Sequence, residues 1–120
     1  ASPWAARTPL ALEVPLETPV GGSMIRCRVD AVFASPGGVE IVDWKTGAVP
    51  SSADEASARQ VQLALYRLAW SRLHGMPLGS VRALFYHVGQ RIAVPAEPLA
   101  EAEIIAAVTA RLETPDPVVR

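Results

Sequence analysis

The four residues Ser35-Pro36-Gly37-Gly38 separate two runs of β-type sequence, and this constrains the chain more than any other feature. A Pro-Gly turn between such runs predicts a hairpin, and a hairpin fixes which residues stand opposite one another. In Met24 to Phe33, Ile25, Cys27, Val29, Ala31 and Phe33 alternate with Arg26, Arg28 and Asp30. The second run is Val39-Glu40-Ile41-Val42-Asp43-Trp44. With Ala34 facing Val39, Asp30 falls opposite Asp43 and Arg28 opposite Lys45, all on one face of the sheet. Trp44 alternates away from Asp43 and reads as core. Cys27 points away from Asp30 and reads as a small buried hydrophobe.

The flanking segments predict the rest of an α+β fold with a mixed sheet. Leu10 to Glu17 alternates as a half-buried strand, with Leu10, Leu12, Val14 and Leu16 on one side and Glu13 and Glu17 on a solvated one; Pro15 marks an edge or a bulge. Ser52 followed by Glu55 is a capping-box start for a helix that runs to Leu73, with Gly75 as its stop and Pro77 beyond. Ser80 to Val88 is a further strand, a short hairpin follows to Val94, Leu99 to Leu112 is a second amphipathic helix, and the tail after Pro115 frays. The order is a three-stranded meander, helix, strand, helix. At 120 residues this is one domain, residues 1–120, with its core at about 10–112. The opening segment lacks clean periodicity, as expected of a piece of a longer polypeptide.

Charge and cysteine content narrow the function classes. No stretch free of Asp, Glu, Lys and Arg exceeds nine residues, so no segment spans a bilayer as a helix. With one cysteine and no signal-peptide pattern, the chain is expected in a reducing cytoplasm. The net charge of −1 shows no bulk basic surface, so any contact with DNA is local. No phosphate-cradling loop ending in Lys-Ser or Lys-Thr is present. His74 beside the helix stop suits the helix dipole, and His87 reads as structural.

Two carboxylates directly opposed, with Cβ atoms about 5 Å apart, repel unless a cation or a shared proton intervenes. Mg²⁺ is commonly held by one or two carboxylates, with water and phosphate oxygens completing its shell. Lys45, the only lysine, follows Asp43 by two positions. An Asp pair with an adjacent Lys suits phosphodiester hydrolysis, in which the lysine orients water or stabilises developing charge. By themselves these residues leave two readings open: a metal site, or ordinary strand carboxylates satisfied by Arg26, Arg28 or Lys45.

Arg26-Cys27-Arg28-Val29-Asp30, then Val39-Glu40-Ile41-Val42-Asp43-Trp44-Lys45-Thr46-Gly47, then Gln62-Leu63-Ala64-Leu65-Tyr66 resembles the RecB-type branch of the PD-(D/E)XK nuclease superfamily. More narrowly, it is similar to the C-terminal nuclease domain of actinobacterial helicase-nucleases of the UvrD, AddAB and AdnAB kind. The resemblance implies a restriction-endonuclease-like core lacking the family's N-terminal helix. Asp30 and Asp43 match the metal-binding carboxylates, Lys45 the catalytic lysine, and the Trp44 main-chain carbonyl a further metal ligand. Gln62 and Tyr66 match a helix motif beside the active site and DNA. Cys27 departs from the usual Gly, and neither His74 nor His87 precedes the first strand to supply the family's upstream ligand. The implied activity is a Mg²⁺- or Mn²⁺-dependent deoxyribonuclease, an exonuclease by preference, in double-strand-break repair and recombination. The implied partners are DNA, an ATP-driven helicase motor on the same polypeptide and a second helicase-nuclease subunit. The alternative is an inactive nuclease-fold module that binds DNA or braces a partner subunit.

Overall fold

The computed structural model describes Trp4 and residues 6–113. Five strands form one sheet in the order β1 (Ala11–Val20), β2 (Ser23–Ser35), β3 (Gly38–Lys45), β4 (Val81–His87) and β5 (Ile92–Pro95). All neighbours are antiparallel except β3 and β4, which are parallel and joined by helix α1 (Ala53–His74). A second helix, α2 (Glu101–Glu113), packs beside α1. This is the α+β mixed sheet anticipated, with no helix before β1 among the described residues.

The β2–β3 hairpin has the predicted register, with Ala34 opposite Val39 and Ala31 opposite Val42. Its turn is tighter than four residues, since Ser35 also pairs with Gly38. Gly37 has φ +78°, which a glycine adopts without penalty. Gly38 is required for a different reason, because a Cβ there would collide with the Ser80 carbonyl where β4 begins.

Helix α1 begins and ends where its capping residues dictate. The Ser52 hydroxyl accepts from the Glu55 amide at 3.1 Å, and Gly75 closes the helix in the left-handed conformation at φ +62°. Every residue from Leu63 to Trp70 is buried, because α1 lies between two layers. Leu63, Tyr66, Ala69 and Trp70 pack on the sheet, while Ala64, Leu65 and Leu68 meet Ile104 and Val108 of α2. Arg67 is buried in this middle layer and donates to the carbonyls of Val81, Leu78, Glu97 and Leu99 at 2.8–3.3 Å. One guanidinium thereby ties α1 to β4 and to the segment entering α2.

Simple alternation fails in one place. Ile25, Cys27 and Val29 of β2 pack toward α1, and so does Val32, whereas Ala31 and Phe33 join a cluster on the opposite face with Val42, Leu84, Tyr86 and Trp4. The phase slips at Asp30. Asp30 and Glu13, which would face each other, both drop out of the β1–β2 ladder, and Glu13 has φ +49°. Beyond that break Leu10 and Leu12 are 60% and 63% exposed instead of sharing the inner face with Val14 and Leu16. The same break separates Arg28 from Lys45, because the β2–β3 ladder ends at Ala31 and Val42. Arg28 instead pairs with Pro15 across β1 and lies 3.8 Å from the Glu13 carboxylate. The segment after Pro115 lies outside the described residues.

Arg67→Met should destabilise the chain by about 2–4 kcal/mol, since it leaves buried carbonyls without a donor. Urea denaturation measures this, and a loss below about 0.5 kcal/mol would show that the bonds carry no net stability.

Candidate active site

The two aspartates meet where β2 leaves β3. The Asp30 amide donates to Asp43 Oδ1 at 3.3 Å, and the Trp44 amide donates to Asp30 Oδ2 at 2.8 Å. Each carboxylate is thus anchored by the other strand's backbone. The amides that would have continued the ladder bind side chains, so the pair occupies the end of the regular hairpin. Asp43 is only 7% exposed, and its parallel neighbour in β4 is Phe85. Burial is the main reason its carboxyl is pushed up to about 6, with the Asp30 carboxyl adding to the rise and Lys45 opposing it.

Lys45 Nζ lies 3.3 Å from Asp43 Oδ2 and 4.8 Å above the Phe85 ring, so both an ion pair and a cation–π contact hold it. The backbone beyond it is fixed from β4, where the Val88 amide donates to the Lys45 carbonyl at 2.9 Å. The buried His87 places Nδ1 2.9 Å from the Gly47 carbonyl and so ties β4 to the loop after β3. Tyr66 packs edge-on to Phe85 at 6.1 Å, and its hydroxyl titrates well above the ordinary range through burial and then the charge of Asp43. It therefore borders the acid pair.

The structure separates the remaining candidates. Gln62, one turn before Tyr66, is exposed and has no hydrogen bond to either carboxylate. The Trp44 ring packs edge-on to Phe33 on the far face of the sheet, as alternation predicts, while its amide serves Asp30. Cys27 does not point away from the site. It is half-buried in the α1-facing layer, and burial together with the charge of Asp43 pushes its thiol up to about 11. The phase break places it there. Arg59 and Phe85 belong to no motif in the sequence. The Arg59 guanidinium lies 5.4 Å from the centre of the ring that also supports Lys45, and Arg59 precedes Tyr66 by seven residues, two helical turns. That spacing was the only available signal.

Whether a divalent cation fits here is a question of donor chemistry. With Asp30 Oδ2 and Asp43 Oδ1 engaged by amides, an ion would be met by Asp30 Oδ1 and by Asp43 Oδ2, the latter shared with Lys45 Nζ at 3.3 Å. Among the described residues no group of three His, Cys, Asp or Glu side chains converges. Two carboxylates suffice for Mg²⁺, which retains water and phosphate oxygens as its other ligands.

Comparison with known proteins adds three findings. A model of the PD-(D/E)XK nuclease superfamily matches residues 2–116. The fold is similar to that of a protein named SSO0001, with TM-score 0.52 and 20% identity over 86% of this chain and 48% of that one. It is also similar to the Eubacterium rectale protein named "Putative exonuclease", with TM-score 0.53 and 12% identity over 87% of this chain and 42% of that one. The chain therefore spans less than half the length of either structure. No curated protein matches.

Asp43→Asn should stabilise the metal-free chain at pH 7.5 by about 1–3 kcal/mol, given about 1.4 kcal/mol per pKa unit. A carboxyl raised from its ordinary value of 3.8 to about 6 costs stability once both folded and unfolded states are ionised. That cost disappears as the pH falls through 6 toward 4. Thermal melts across pH 4–8 should show the advantage of the variant shrinking with acidity; an equal or lower midpoint for the variant at pH 7.5 would contradict this.

Proposed function

This chain belongs to the PD-(D/E)XK nuclease superfamily, and we propose that it is a divalent-metal-dependent DNA nuclease domain with Asp30, Asp43 and Lys45 as its catalytic residues. The observation that carries this is the locked carboxylate pair with Lys45 Nζ 3.3 Å from Asp43. Asp30 Oδ1 and Asp43 Oδ2 would hold Mg²⁺ or Mn²⁺, together with the Trp44 main-chain carbonyl. When bound, the ion supplies Lewis-acid polarisation of the phosphate and a more acidic water. Lys45, held by Asp43 and the Phe85 ring, orients the attacking water and stabilises negative charge on the phosphate oxygens. Tyr66 closes the apolar side of the site, and Gln62 lies one turn further out, toward the DNA.

The wider setting belongs to the same proposal. The chain acts as one nuclease domain of a longer cytoplasmic helicase-nuclease, fed by an ATP-driven motor on the same polypeptide and paired with a second subunit, in double-strand-break repair and recombination. The resemblance of the Asp30, Asp43-x-Lys45 and Gln62-x-x-x-Tyr66 motifs to that branch motivates this setting, and exonucleolytic action on a delivered strand fits it. A second reading, an inactive module that binds DNA or braces a partner subunit, draws on one observation: only two carboxylates converge among the described residues.

Cleavage of end-labelled DNA with Mg²⁺ or Mn²⁺ separates the two. Asp43→Ala and Lys45→Ala should each lower the rate by at least about a hundredfold while the fold is retained. Undiminished cleavage in both variants would remove the assignment, and metal-independent DNA binding without cleavage in the wild type would favour the second reading.

A further inference from the structure

Helices α1 and α2 and the start of β2 enclose a surface groove of about 340 Å³, large enough for about one nucleotide. Arg59, Gln62 and Arg111 line it above an apolar floor that includes Ile25, Leu65 and Val108. Its charged residues are both arginines. Other cavities of comparable size each include a carboxylate: Glu40, Glu97, Glu17, or Glu101 with Glu103. In a chain of net charge −1, a cavity with cations and no acid is a local reversal of the overall balance.

The two arginines also lack acidic partners, as do Arg82 and Arg91 among the described residues, but those two are exposed whereas Arg59 is half-buried. Arg7, Arg26, Arg28 and Arg72 lie within ion-pair distance of carboxylates, and Arg67 is spent on carbonyls. Neither Arg59 nor Arg111 has an acidic partner among the described residues, and Arg59 Nη1 is buried without a hydrogen-bond acceptor. Arg59 also connects the groove to the acid pair, because its guanidinium rests on the Phe85 ring that supports Lys45. A guanidinium in such a place matches a phosphate, and an apolar floor beside it accepts a sugar or the face of a base.

We propose that this groove is the track for the single nucleic-acid strand flanking the scissile phosphate, with Arg59 holding a phosphate near the acid pair and Arg111 one further along. The assignment rests on the nuclease reading for its direction toward Asp30 and Asp43. It also gives Gln62 a place: on the wall of the groove, away from the carboxylates.

Fluorescence anisotropy with a labelled single-stranded oligothymidylate, across a salt series without divalent ions, tests the groove separately from catalysis. Arg59→Met and Arg111→Gln should each flatten the plot of log affinity against log salt by about 0.7, the value of one single-strand phosphate contact. Arg59→Lys should restore most of the slope. Arg82→Gln, which removes an exposed charge beside another cavity, should leave it unchanged. Wild-type thermal midpoints identify the folded variants. Unchanged slopes for Arg59→Met and Arg111→Gln, slopes no lower than that of Arg82→Gln, or no salt-dependent binding by the wild type would each overturn the proposal. Loss of cleavage in the Asp43 and Lys45 variants alongside unchanged slopes removes the groove and keeps the nuclease. Retained cleavage in those variants with flattened slopes supports the groove and removes the catalytic assignment.

Discussion

Two main-chain hydrogen bonds crossing between β2 and β3 hold the acidic centre together. The amides of Asp30 and Trp44 leave the strand ladder and bind the carboxylates of Asp43 and Asp30. Like charges at that separation would otherwise turn their side chains apart. The backbone gives each carboxylate one fixed donor, and Lys45 approaches the other oxygen of Asp43. The site is therefore made by ending a regular hairpin at a chosen residue, and the irregularity at Asp30 and Glu13 is part of its construction.

Stability and function pull against each other at this point. Asp43 is almost fully buried and its carboxyl is raised to about 6, so in the absence of a cation its charge works against the fold. The compensation lies in the surrounding layers. Helix α1 is buried continuously from Leu63 to Trp70, and Arg67 joins it to β4 and to the entry of α2. Phe85 links the layers to the site: it neighbours Asp43 in the sheet, meets Tyr66 edge-on and lies beneath the cations of Lys45 and Arg59.

Much of this was legible in the sequence because it depended on local rules. The Pro36-Gly37 turn gave the hairpin register, and with it the closeness of Asp30 to Asp43. Ser52 and Gly75 marked the ends of α1. What escaped depended on backbone conformation or on distant chain. A single residue with positive φ at Glu13 accompanies the change of phase that carries Leu10 and Leu12 to the surface and Ala31 and Phe33 to the far face. Alternation counted along the chain has no means of registering such a slip. Arg59 was equally hidden, because its significance comes from a ring contributed by β4.

The most direct measurement is a calorimetric titration of Mn²⁺ into the chain and into Asp43→Asn. If Asp30 and Asp43 form a shared cation site, the wild type binds the ion with one-site stoichiometry and the variant shows little or no heat of binding. Equal binding by both proteins would place the ion elsewhere, and no binding by either would remove the metal site from this account.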